Sequence, residues 1–366
     1  MNVDSLLSEP QFSLSPIQKR EALVTGLADL TEHHRHRCTP YARILDAMPA
    51  PQGDGIAAIP YLPVSLFKTR RLVSVPDDEI FKTLTSSGTT GQAVSQVFLD
   101  RDTAKRQSLA LSRIMERVLG TRRRPMIIVD TAGLVKDRSR FSARAAGVVG
   151  MLPFGRDHFF CLDEDMNLDV QGLARYLEAH RGEQLLVFGF TFMVWQHLLM
   201  HARGQSLSFD LSAATLIHAG GWKKLQAQAV SKQDFAGTVQ QVVGTSDIHD
   251  FYGMVEQIGS TYLEADDGFL RPPNFADVVI RNPGTWAPAE PGEVGVVQVL
   301  SLLPTSYPGH SILTEDLGVN HGMDDGETGW AGTRLEIVGR VPRTELRGCS
   351  DTHAATWIST NGSTRP

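Results

Sequence analysis

The chain has 366 residues, a length that allows two domains of ordinary size or one large α/β core with an appendage. Hydrophobic residues make up 42% of the sequence and charged residues 21%, which excludes collagen, coiled coil and wholesale disorder. The formal net charge of -6 gives no general attraction to phosphate backbones or anionic membranes, so nucleic acid is a poor candidate for a partner. We therefore expect a globular protein that binds no nucleic acid.

The cysteine content and the N-terminus bear on the cellular compartment. The three cysteines, Cys38, Cys161 and Cys349, are too few and too scattered for a disulfide framework or a paired-cysteine zinc site. The N-terminal residues are acidic where a secretory signal needs a basic segment followed by an apolar one. No apolar run approaches the ~18 residues that a bilayer crossing requires. The sequence thus predicts a cytoplasmic protein with no membrane span.

Residues 1–80 carry a charged helical pattern followed by a Pro/Gly-rich stretch, which predicts an N-terminal helical cap and a loop. A basic run of histidine and arginine covers residues 33–37. Such a run could form a metal or phosphate site, but contiguous side chains point in different directions on a regular element. We therefore expect this run to be a solvated face.

From residue 81 to residue 265 apolar runs alternate with amphipathic helical patterns, which favours an α/β core with a largely parallel sheet. We expect this core to hold the ligand-binding site. Asp102 can cap a helix whose apolar residues fall on one face and which ends before Gly120. Three apolar runs predict buried strands. They are residues 126–129, 185–188 and 215–217.

Beyond residue 265 the helical pattern fades. Residues 277–280 and 295–299 predict strands separated by Pro/Gly turns. We interpret residues 266–350 as a β-rich lobe and the small polar residues 351–366 as a flexible tail.

The most informative local pattern is a run of hydroxyl residues around two glycines: Thr85, Ser86, Ser87, Gly88, Thr89, Thr90 and Gly91. Glycines allow backbone N–H groups to approach an anion closely, and hydroxyls add donors for phosphoryl oxygens. The run lacks the Gly-Lys-Ser/Thr of a Walker A loop and the glycine spacing of a dinucleotide fingerprint. It predicts a phosphate-binding loop, with a flexible surface loop as the alternative.

Four further motifs follow along the chain, at residues 219–224, 250–256, 314–318 and 339–340. Together with the loop they resemble, in order and rough spacing, the motifs of the adenylate-forming superfamily of acyl, aryl and luciferin ligases. That superfamily has a glycine pair that closes on adenine, a Tyr-Gly-x-Thr-Glu segment, a Thr-Gly-Asp-Leu-Gly segment and a Gly-Arg pair at an interdomain hinge. The agreement in order argues against chance.

Within the superfamily the chain most resembles the acyl-protein synthetase family, the LuxE type. The resemblance is carried by the chain length, by Gly-Gly-Trp-Lys-Lys at residues 220–224 and by Arg-Gly-Cys-Ser at residues 347–350. It implies ATP-dependent activation of a fatty acid as acyl-adenylate, transfer of the acyl group to a C-terminal cysteine, and delivery to a partner such as an acyl reductase. It also implies an α/β fold like the large domain of adenylate-forming enzymes, with parallel-rich sheets and a β-rich C-terminal lobe.

The resemblance assigns the phosphate and metal contacts. The loop from Thr85 to Gly91 would hold the β- and γ-phosphates of ATP and orient pyrophosphate for in-line departure. Glu256 would be a catalytic residue that holds Mg²⁺ on the phosphates, since hard oxygen ligands suit that ion. ATP and Mg²⁺ are therefore the expected cofactors.

The resemblance also assigns the nucleoside contacts. A glycine pair would give room for the flat base, an aromatic ring would lie against adenine, a carboxylate would accept both ribose hydroxyls, and an arginine would contact the ribose or phosphate. These residues are Gly220, Gly221, Tyr252, Gly253, Asp316 and Arg340. The aromatic segment 188–195 resembles the acyl-pocket helix of the superfamily, with ordinary core as an equal alternative.

Cys349 is the expected acyl acceptor. A thiol that takes an acyl group needs access and thiolate character, which the neighbouring Arg347 would favour. The alternative is a cysteine in a terminal segment with no function. If Cys349 takes the acyl group, the final acceptor would be a partner, such as an acyl reductase or a carrier protein.

The sequence departs from the superfamily pattern in several places. Val255 stands where Thr is common, Glu315 where Gly is common, and Gln92-Ala93 where most members carry Lys-Pro, so the loop lysine is absent. The chain ends soon after Arg340, without the mobile C-terminal domain that brings a catalytic lysine. We expect transfer to an internal thiol or a partner protein rather than to coenzyme A.

Two alternatives stay open from the sequence. One is an enzyme similar to phenylacetate-coenzyme A ligase, which activates an aromatic or short acid and passes it to coenzyme A or a carrier protein. The other is a catalytically inactive nucleotide-binding scaffold, which Val255 and the absent loop lysine make possible.

Overall fold

The structure is a computed structural model that describes residues 2–86, 94–136, 143–221 and 229–342. The described residues form two compact units. The first unit draws on Met1–Leu111, Gly253–Tyr262 and Asp266–Pro366, and the second on Ser112–Tyr252 and Leu263–Ala265. The four-part domain division predicted from the sequence stays a prediction.

Helices and strands follow one another along the described part of the chain. The helices are α1 (Val3–Ser8), α2 (Pro16–Arg37), α3 (Thr39–Ala47), α4 (Leu66–Thr69), α5 (Arg101–Leu119), α6 (Gly133–Lys136), α7 (Ala143–Met151), α8 (Val170–Ala179), α9 (Thr191–Met193), α10 (His201–Gly204) and α11 (Lys232–Val243). The strands are β1 (Leu62–Pro63), β2 (Lys82–Thr85), β3 (Gln96–Leu99), β4 (Arg124–Thr131), β5 (Gly155–Leu162), β6 (Leu185–Phe190), β7 (Ala214–Ala219), β8 (Ile248–Tyr252), β9 (Tyr262–Glu264), β10 (Leu270–Arg271), β11 (Ala276–Arg281), β12 (Val294–Ser301), β13 (Ser311–Asp325) and β14 (Ala331–Arg340). Within the described ranges, none of these helices has both the length and the hydropathy to cross a bilayer.

The first unit is built on an antiparallel sheet in the order β11–β12–β13–β14–β10. Strand β1 pairs in parallel with β13, and β2 and β3 form a separate two-stranded hairpin. Helix α2 begins at a capping box, in which Ser15 and Gln18 bond to each other's backbone N–H, with Pro16 at the first helical position. The sheet contains both strands predicted beyond residue 265, each one to three residues longer than its apolar run.

The second unit is built on a parallel sheet in the order β5–β4–β6–β7–β8. Its three inner strands, β4, β6 and β7, are rich in apolar residues and buried along almost their whole length, as is typical of strands that are covered on both faces. The three strands predicted for this segment are present and extend to residues 124–131, 185–190 and 214–219. The carboxyl ends of parallel strands share one edge, where ligands bind in open α/β sheets.

Two local predictions are wrong. The helix cap at α5 is Asp100, whose carboxylate accepts a hydrogen bond from Thr103 N at 2.7 Å, and Asp102 lies within the first turn. A cap has to precede the helix, so its oxygen can reach the free N–H three residues on. The basic run is also not a uniformly solvated face, because His34 is fully buried while Arg35 and Arg37 are exposed.

His34 joins helix α2 to the segment before β13 in the first unit. Its Nε2 bonds to Pro304 O at 3.1 Å, and its Nδ1 bonds to the Ser74 hydroxyl at 2.8 Å. The ring stacks on His310 at 5.0 Å between centroids, and His310 Nε2 in turn bonds to the Thr31 hydroxyl at 3.0 Å. Burial lowers the pKa of both imidazoles, that of His310 to about 3, so the pair packs in the neutral form.

Arg281, at the end of β11, is fully buried and ties the Pro/Gly-rich loop of residues 49–53 and its neighbours to the sheet. Its guanidinium donates to Gln298 Oε1 at 2.7 Å, to Gln52 O at 2.8 Å and to Ala57 O at 2.5 Å. The planar guanidinium group can donate hydrogen bonds to several carbonyl oxygens at once, which explains why an arginine is buried at this position.

We expect Arg281→Met to lower the free energy of unfolding by about 3 kcal/mol, because it leaves buried carbonyl and amide acceptors without donors. Urea denaturation followed by circular dichroism measures the change. Arg37→Met, at an exposed position, is the control and should shift the free energy by less than about 0.5 kcal/mol. Equal effects of the two substitutions would contradict this account.

The buried imidazoles make stability depend on pH. The pKa of His310 is about 3 in the folded chain, against 6.5 for a free imidazole, so the unfolded chain binds more protons than the folded chain. The contribution of the neutral His310 ring to the free energy of unfolding is fully present above about pH 6.5, and it falls as the pH drops toward 3. His310→Gln should reduce the loss of unfolding free energy between about pH 7 and about pH 5 by about 2 kcal/mol. The same change at exposed His36 should leave the loss unaltered, and an unaltered loss in His310→Gln would refute the assignment.

Candidate active site

The predicted phosphate loop connects the two strands of the β2–β3 hairpin in the first unit. Thr85 pairs with Gln96 across the hairpin. Beyond that pair, Ser86 N donates to Ser95 O at 3.1 Å and Ser95 N donates to Ser86 Oγ at 2.9 Å. The rest of the predicted loop, Ser87, Gly88, Thr89, Thr90 and Gly91, lies outside the described residues. Thr85 and Ser86 therefore stand at the base of the segment predicted to bind phosphate.

Glu256 lies in a short 3-10 turn, Val255–Gln257, that is held on both sides within the first unit. Its carbonyl oxygen accepts a hydrogen bond from the Tyr307 hydroxyl at 2.9 Å. The amide of Gln257 donates to Gly309 O at 2.8 Å and to Val299 O at 3.2 Å. These bonds fix the backbone of the turn, and they therefore fix the point from which the Glu256 side chain extends.

The Glu256 carboxyl is buried, with 5% of the residue exposed. Burial raises its pKa, and the neighbouring Glu315 carboxylate adds to that effect. The Ser95 hydroxyl and the Lys68 ammonium act in the opposite direction. The predicted metal-binding carboxylate, the base of the predicted phosphate loop and a cation therefore lie together in the first unit.

Lys68 is a residue that the sequence interpretation missed. It lies in α4, directly after β1, and β1 pairs with β13 at Leu313, two residues before Glu315. Val64 N donates to Leu313 O at 2.9 Å and extends this pairing. No local signal marks Lys68, since a single lysine in a predicted cap segment has no motif around it.

Asp316 and Arg340 are brought together as directly paired residues of β13 and β14. Arg340 Nε donates to Asp316 Oδ1 at 3.1 Å, and a terminal nitrogen of Arg340 lies 3.7 Å from the Glu315 carboxylate. The Thr314 hydroxyl bonds to Val297 O and accepts from Asp316 N, which fixes the start of the motif. The aspartate is half-buried while the guanidinium is exposed.

The glycine pair and Tyr252 end two adjacent strands of the second unit. Gly220 and Gly221 follow β7, Tyr252 is the last residue of β8, and the two strands are paired in parallel. Gly220 has φ of +82°, and a Cβ there would come within 3.2 Å of the Phe190 ring. Glycine is therefore required here both by the backbone and by the space. Gly253, at the start of a first-unit segment, is exposed.

Three polar side chains that the sequence interpretation gave no role lie at the same edge of the second unit. Thr191 and His218 are buried, and Asp250 is half-buried with its Oδ1 atom buried. Thr191 follows β6, His218 lies in β7 and Asp250 in β8. The Thr191 hydroxyl and His218 Nδ1 bond at 2.9 Å, and Asp250 Oδ1 lies 3.7 Å from that nitrogen. We call these three residues the polar row. Asp250 stood within a quoted motif, and His218 directly preceded another.

Burial sets the charge of the polar row. It lowers the pKa of His218 to about 3, with help from the Lys232 ammonium. It raises the pKa of Asp250 to about 7, with help from the Glu264 carboxylate and against Lys232. At neutral pH the imidazole is uncharged and Asp250 is divided between its acid and carboxylate forms.

Trp195, from the predicted acyl-pocket helix, lies in a π-helical segment, Val194–Met200, between α9 and α10. Its half-buried ring stacks on Phe235 at 6.1 Å; Phe235 belongs to the apolar core of the second unit, and Trp195 packs against that core. Phe235 also contacts the His218 ring at 4.7 Å. Single π-helical turns occur often at functional sites, and the acyl-pocket assignment stays a prediction.

Two of the three cysteines are described. Cys38 and Cys161 are both buried and make no disulfide. Burial raises the pKa of each thiol, that of Cys161 to about 12. Neither can offer an accessible thiolate at neutral pH. Cys349, the predicted acyl acceptor, lies outside the described residues.

Comparison with known proteins gives a family for the chain. Residues 2–357 match the family described as acyl-protein synthetase, LuxE. A curated relative from Vibrio harveyi, named long-chain-fatty-acid–luciferin-component ligase, is 23% identical over 345 residues, covering 91% of this chain and 88% of the relative. A relative of the same name from Aliivibrio fischeri is 23% identical over 304 residues, covering 81% of this chain and 78% of the relative.

Solved structures agree on the fold. An open conformation of 2-hydroxyisobutyryl-CoA ligase in complex with 2-HIB-AMP and CoA is similar with a TM-score of 0.65 at 17% identity, covering 90% of this chain and 76% of that chain. The same ligase in its thioesterification state gives a TM-score of 0.66 at 18% identity, covering 90% and 69%. At these identities the likeness concerns the fold, and the predicted adenylate-forming fold is confirmed. The chain belongs to the acyl-protein synthetase (LuxE) family, is an enzyme of the ligase class, and has the fold of adenylate-forming ligases.

Proposed function

We propose that the protein activates a fatty acid with ATP and passes the acyl group to Cys349 and then to a partner protein in the cytoplasm. In the first step a carboxylate oxygen attacks the α-phosphorus of ATP, the bond to the bridging oxygen breaks, and pyrophosphate leaves. In the second step a thiolate attacks the acyl carbonyl and AMP leaves. The observation that carries the proposal is the buried Glu256 carboxyl beside Lys68 and the base of the predicted phosphate loop.

The donor chemistry around Glu256 fits a bound Mg²⁺. Glu256 and Glu315 supply carboxylate oxygens and Ser95 a hydroxyl. One or two carboxylates together with substrate phosphates are enough to hold this ion, which keeps several of its waters. When bound, Mg²⁺ supplies charge neutralisation on the phosphate oxygens.

Lys68 supports the proposal because the loop lysine common in the superfamily is absent, with Gln92-Ala93 in its place. Lys68 is half-buried and close enough to Glu256 to lower its pKa. An ammonium group there can bind a phosphate oxygen as a point charge and stabilise the negative charge that builds up as pyrophosphate departs.

The remaining assigned residues support nucleotide binding in each unit separately. In the first unit Arg340 orients the Asp316 carboxylate, which can accept hydrogen bonds from both ribose hydroxyls. In the second unit Gly220 and Gly221 leave space beside Tyr252 for a flat base.

The cysteines support an acyl acceptor near the C-terminus. An acyl-thioester forms through an accessible thiolate, and the buried Cys38 and Cys161 do not offer one. We therefore propose Cys349 as the acceptor, and an acyl reductase or a carrier protein as the partner that receives the acyl group.

Acid-dependent exchange of labelled pyrophosphate into ATP tests the activation step. We expect Glu256→Gln to lower the exchange rate about 100-fold or more, because Glu256 would hold the Mg²⁺ that neutralises the phosphates. Lys68→Met should lower the rate about 10-fold or more, because it removes a positive charge that stabilises the departing pyrophosphate. Glu79→Gln and Lys105→Met alter the same residue types at exposed positions and should retain the wild-type rate. Exchange at the wild-type rate in Glu256→Gln would contradict its role, and no exchange with any fatty acid would contradict the proposed function.

Labelled fatty acid and ATP test the acceptor. We expect Cys349→Ala to abolish hydroxylamine-sensitive label on the protein while pyrophosphate exchange stays within about twofold of wild type, since adenylation precedes thioester formation. Cys161→Ala is the matched control and should keep the label. Persistence of the label in Cys349→Ala would exclude Cys349 as the acyl carrier.

A further inference from the structure

The polar row, Thr191, His218 and Asp250, lies at the edge of the second unit where ligands bind in open parallel sheets. His218 and Asp250 are directly opposite each other in β7 and β8. Each lies two residues before a proposed adenine contact, Gly220 or Tyr252, and two strand residues span about 7 Å. The row is therefore close to where the carboxyl end of an activated acid would lie if the proposed function holds.

The row has hydrogen-bonding capacity left over. Asp250 Oδ1 is buried and has no hydrogen-bond partner. His218 Nδ1 is bonded to Thr191, so Nε2 is the ring nitrogen that a ligand could use. A buried polar atom without a partner costs free energy, so a site that keeps an unpaired oxygen and a ring nitrogen together is suited to a ligand that satisfies both.

Aromatic side chains adjoin the row. The Phe235 ring contacts His218, and Trp195 stacks on Phe235. Half-buried Phe190 directly precedes Thr191. Apolar walls with a few convergent polar groups are the usual composition of a small-molecule site. The walls suit a hydrocarbon chain, and the row suits a polar substituent on it.

A hydroxyl group fits the row better than an amine. A hydroxyl can donate to Asp250 Oδ1 and accept from His218 Nε2–H, and it pairs with Asp250 in either protonation state. An ammonium group needs an ionised carboxylate, but burial and Glu264 raise the pKa of Asp250 to about 7. The imidazole, neutral because of its burial, offers one N–H donor whichever nitrogen carries the proton.

We propose that the acid bound by this protein carries a hydroxyl group close to its carboxylate, on C2 or C3, which hydrogen-bonds to Asp250 and His218. The inference rests on the proposed function and narrows its substrate from fatty acids in general to hydroxy acids. Asp250 and His218 are specificity-determining residues in this account, and Thr191 is a positioning residue that orients the imidazole through Nδ1.

Calorimetric titration tests the inference without turnover. The full-length protein, with a non-hydrolysable α,β-methylene analogue of ATP, is titrated with decanoic, 2-hydroxydecanoic and 3-hydroxydecanoic acid. We expect one of the hydroxy acids to bind about tenfold more tightly than decanoic acid or better, because a site built around a hydroxyl rejects the analogue that lacks it. Equal or tighter binding of decanoic acid would overturn the inference.

Substitutions separate recognition from folding. Asp250→Leu should remove the preference by weakening binding of the hydroxy acid while decanoic acid binds as well or better, and Asp250→Asn should keep part of the preference. Asp165→Leu, at an exposed position in the same unit, should leave the preference intact. A preference that survives in a folded Asp250→Leu protein would also overturn the inference.

Pyrophosphate exchange with the same acids distinguishes this inference from the proposed function. Exchange with decanoic acid at the same efficiency as with the hydroxy acids would leave acid activation standing and overturn the hydroxyl preference. Tight, selective binding of a hydroxy acid without any exchange would support the preference and contradict acid activation.

Discussion

The turn around Glu256 is held by a hydrogen bond from the Tyr307 hydroxyl to Glu256 O and by bonds from the Gln257 side-chain amide to two carbonyl oxygens outside the turn, and the chemistry proposed for the first unit depends on this constraint. A buried carboxyl has a raised pKa and is costly to ionise unless a cation or a metal ion compensates for it. The backbone bonds hold the group in that position, and Lys68 supplies part of the compensation. A flexible turn would let the side chain move into solvent, and the contact proposed between Glu256 and a phosphate-bound Mg²⁺ would be lost.

In the second unit, strand pairing and burial set the positions and the charges of the polar side chains. Parallel strands present their carboxyl ends at one edge, so residues that are far apart in sequence become neighbours there. Thr191, His218 and Asp250 come from three different strand ends and meet within hydrogen-bonding or near-bonding distance. Burial then makes the imidazole neutral and leaves the carboxyl near its titration point. Few arrangements on an exposed surface would shift both groups this far.

Burial also determines which cysteine thiols can act as nucleophiles. Cys38 and Cys161 lie in apolar surroundings that raise the pKa of their thiols, so both behave as small core residues. The same effect operates on His34 and His310, which pack as neutral rings between α2 and the segment before β13. Cysteine and histidine are often functional residues, but the buried surroundings of these four side chains indicate a structural role.

The sequence alone determined the order of the motifs, three of the five strands of the parallel sheet and two strands of the β-rich segment, because hydrophobic periodicity and turn residues act over a few neighbours. It also identified Glu256, Asp316 and Arg340 as candidates, and the structure brings the last two into contact. Local pattern could not reveal Lys68 or the polar row. Those contacts depend on which strands pair, as β1 with β13 and β7 with β8, and on how deeply each side chain is buried. Strand pairing and burial are set by packing over the whole chain, and so only the tertiary structure decided them.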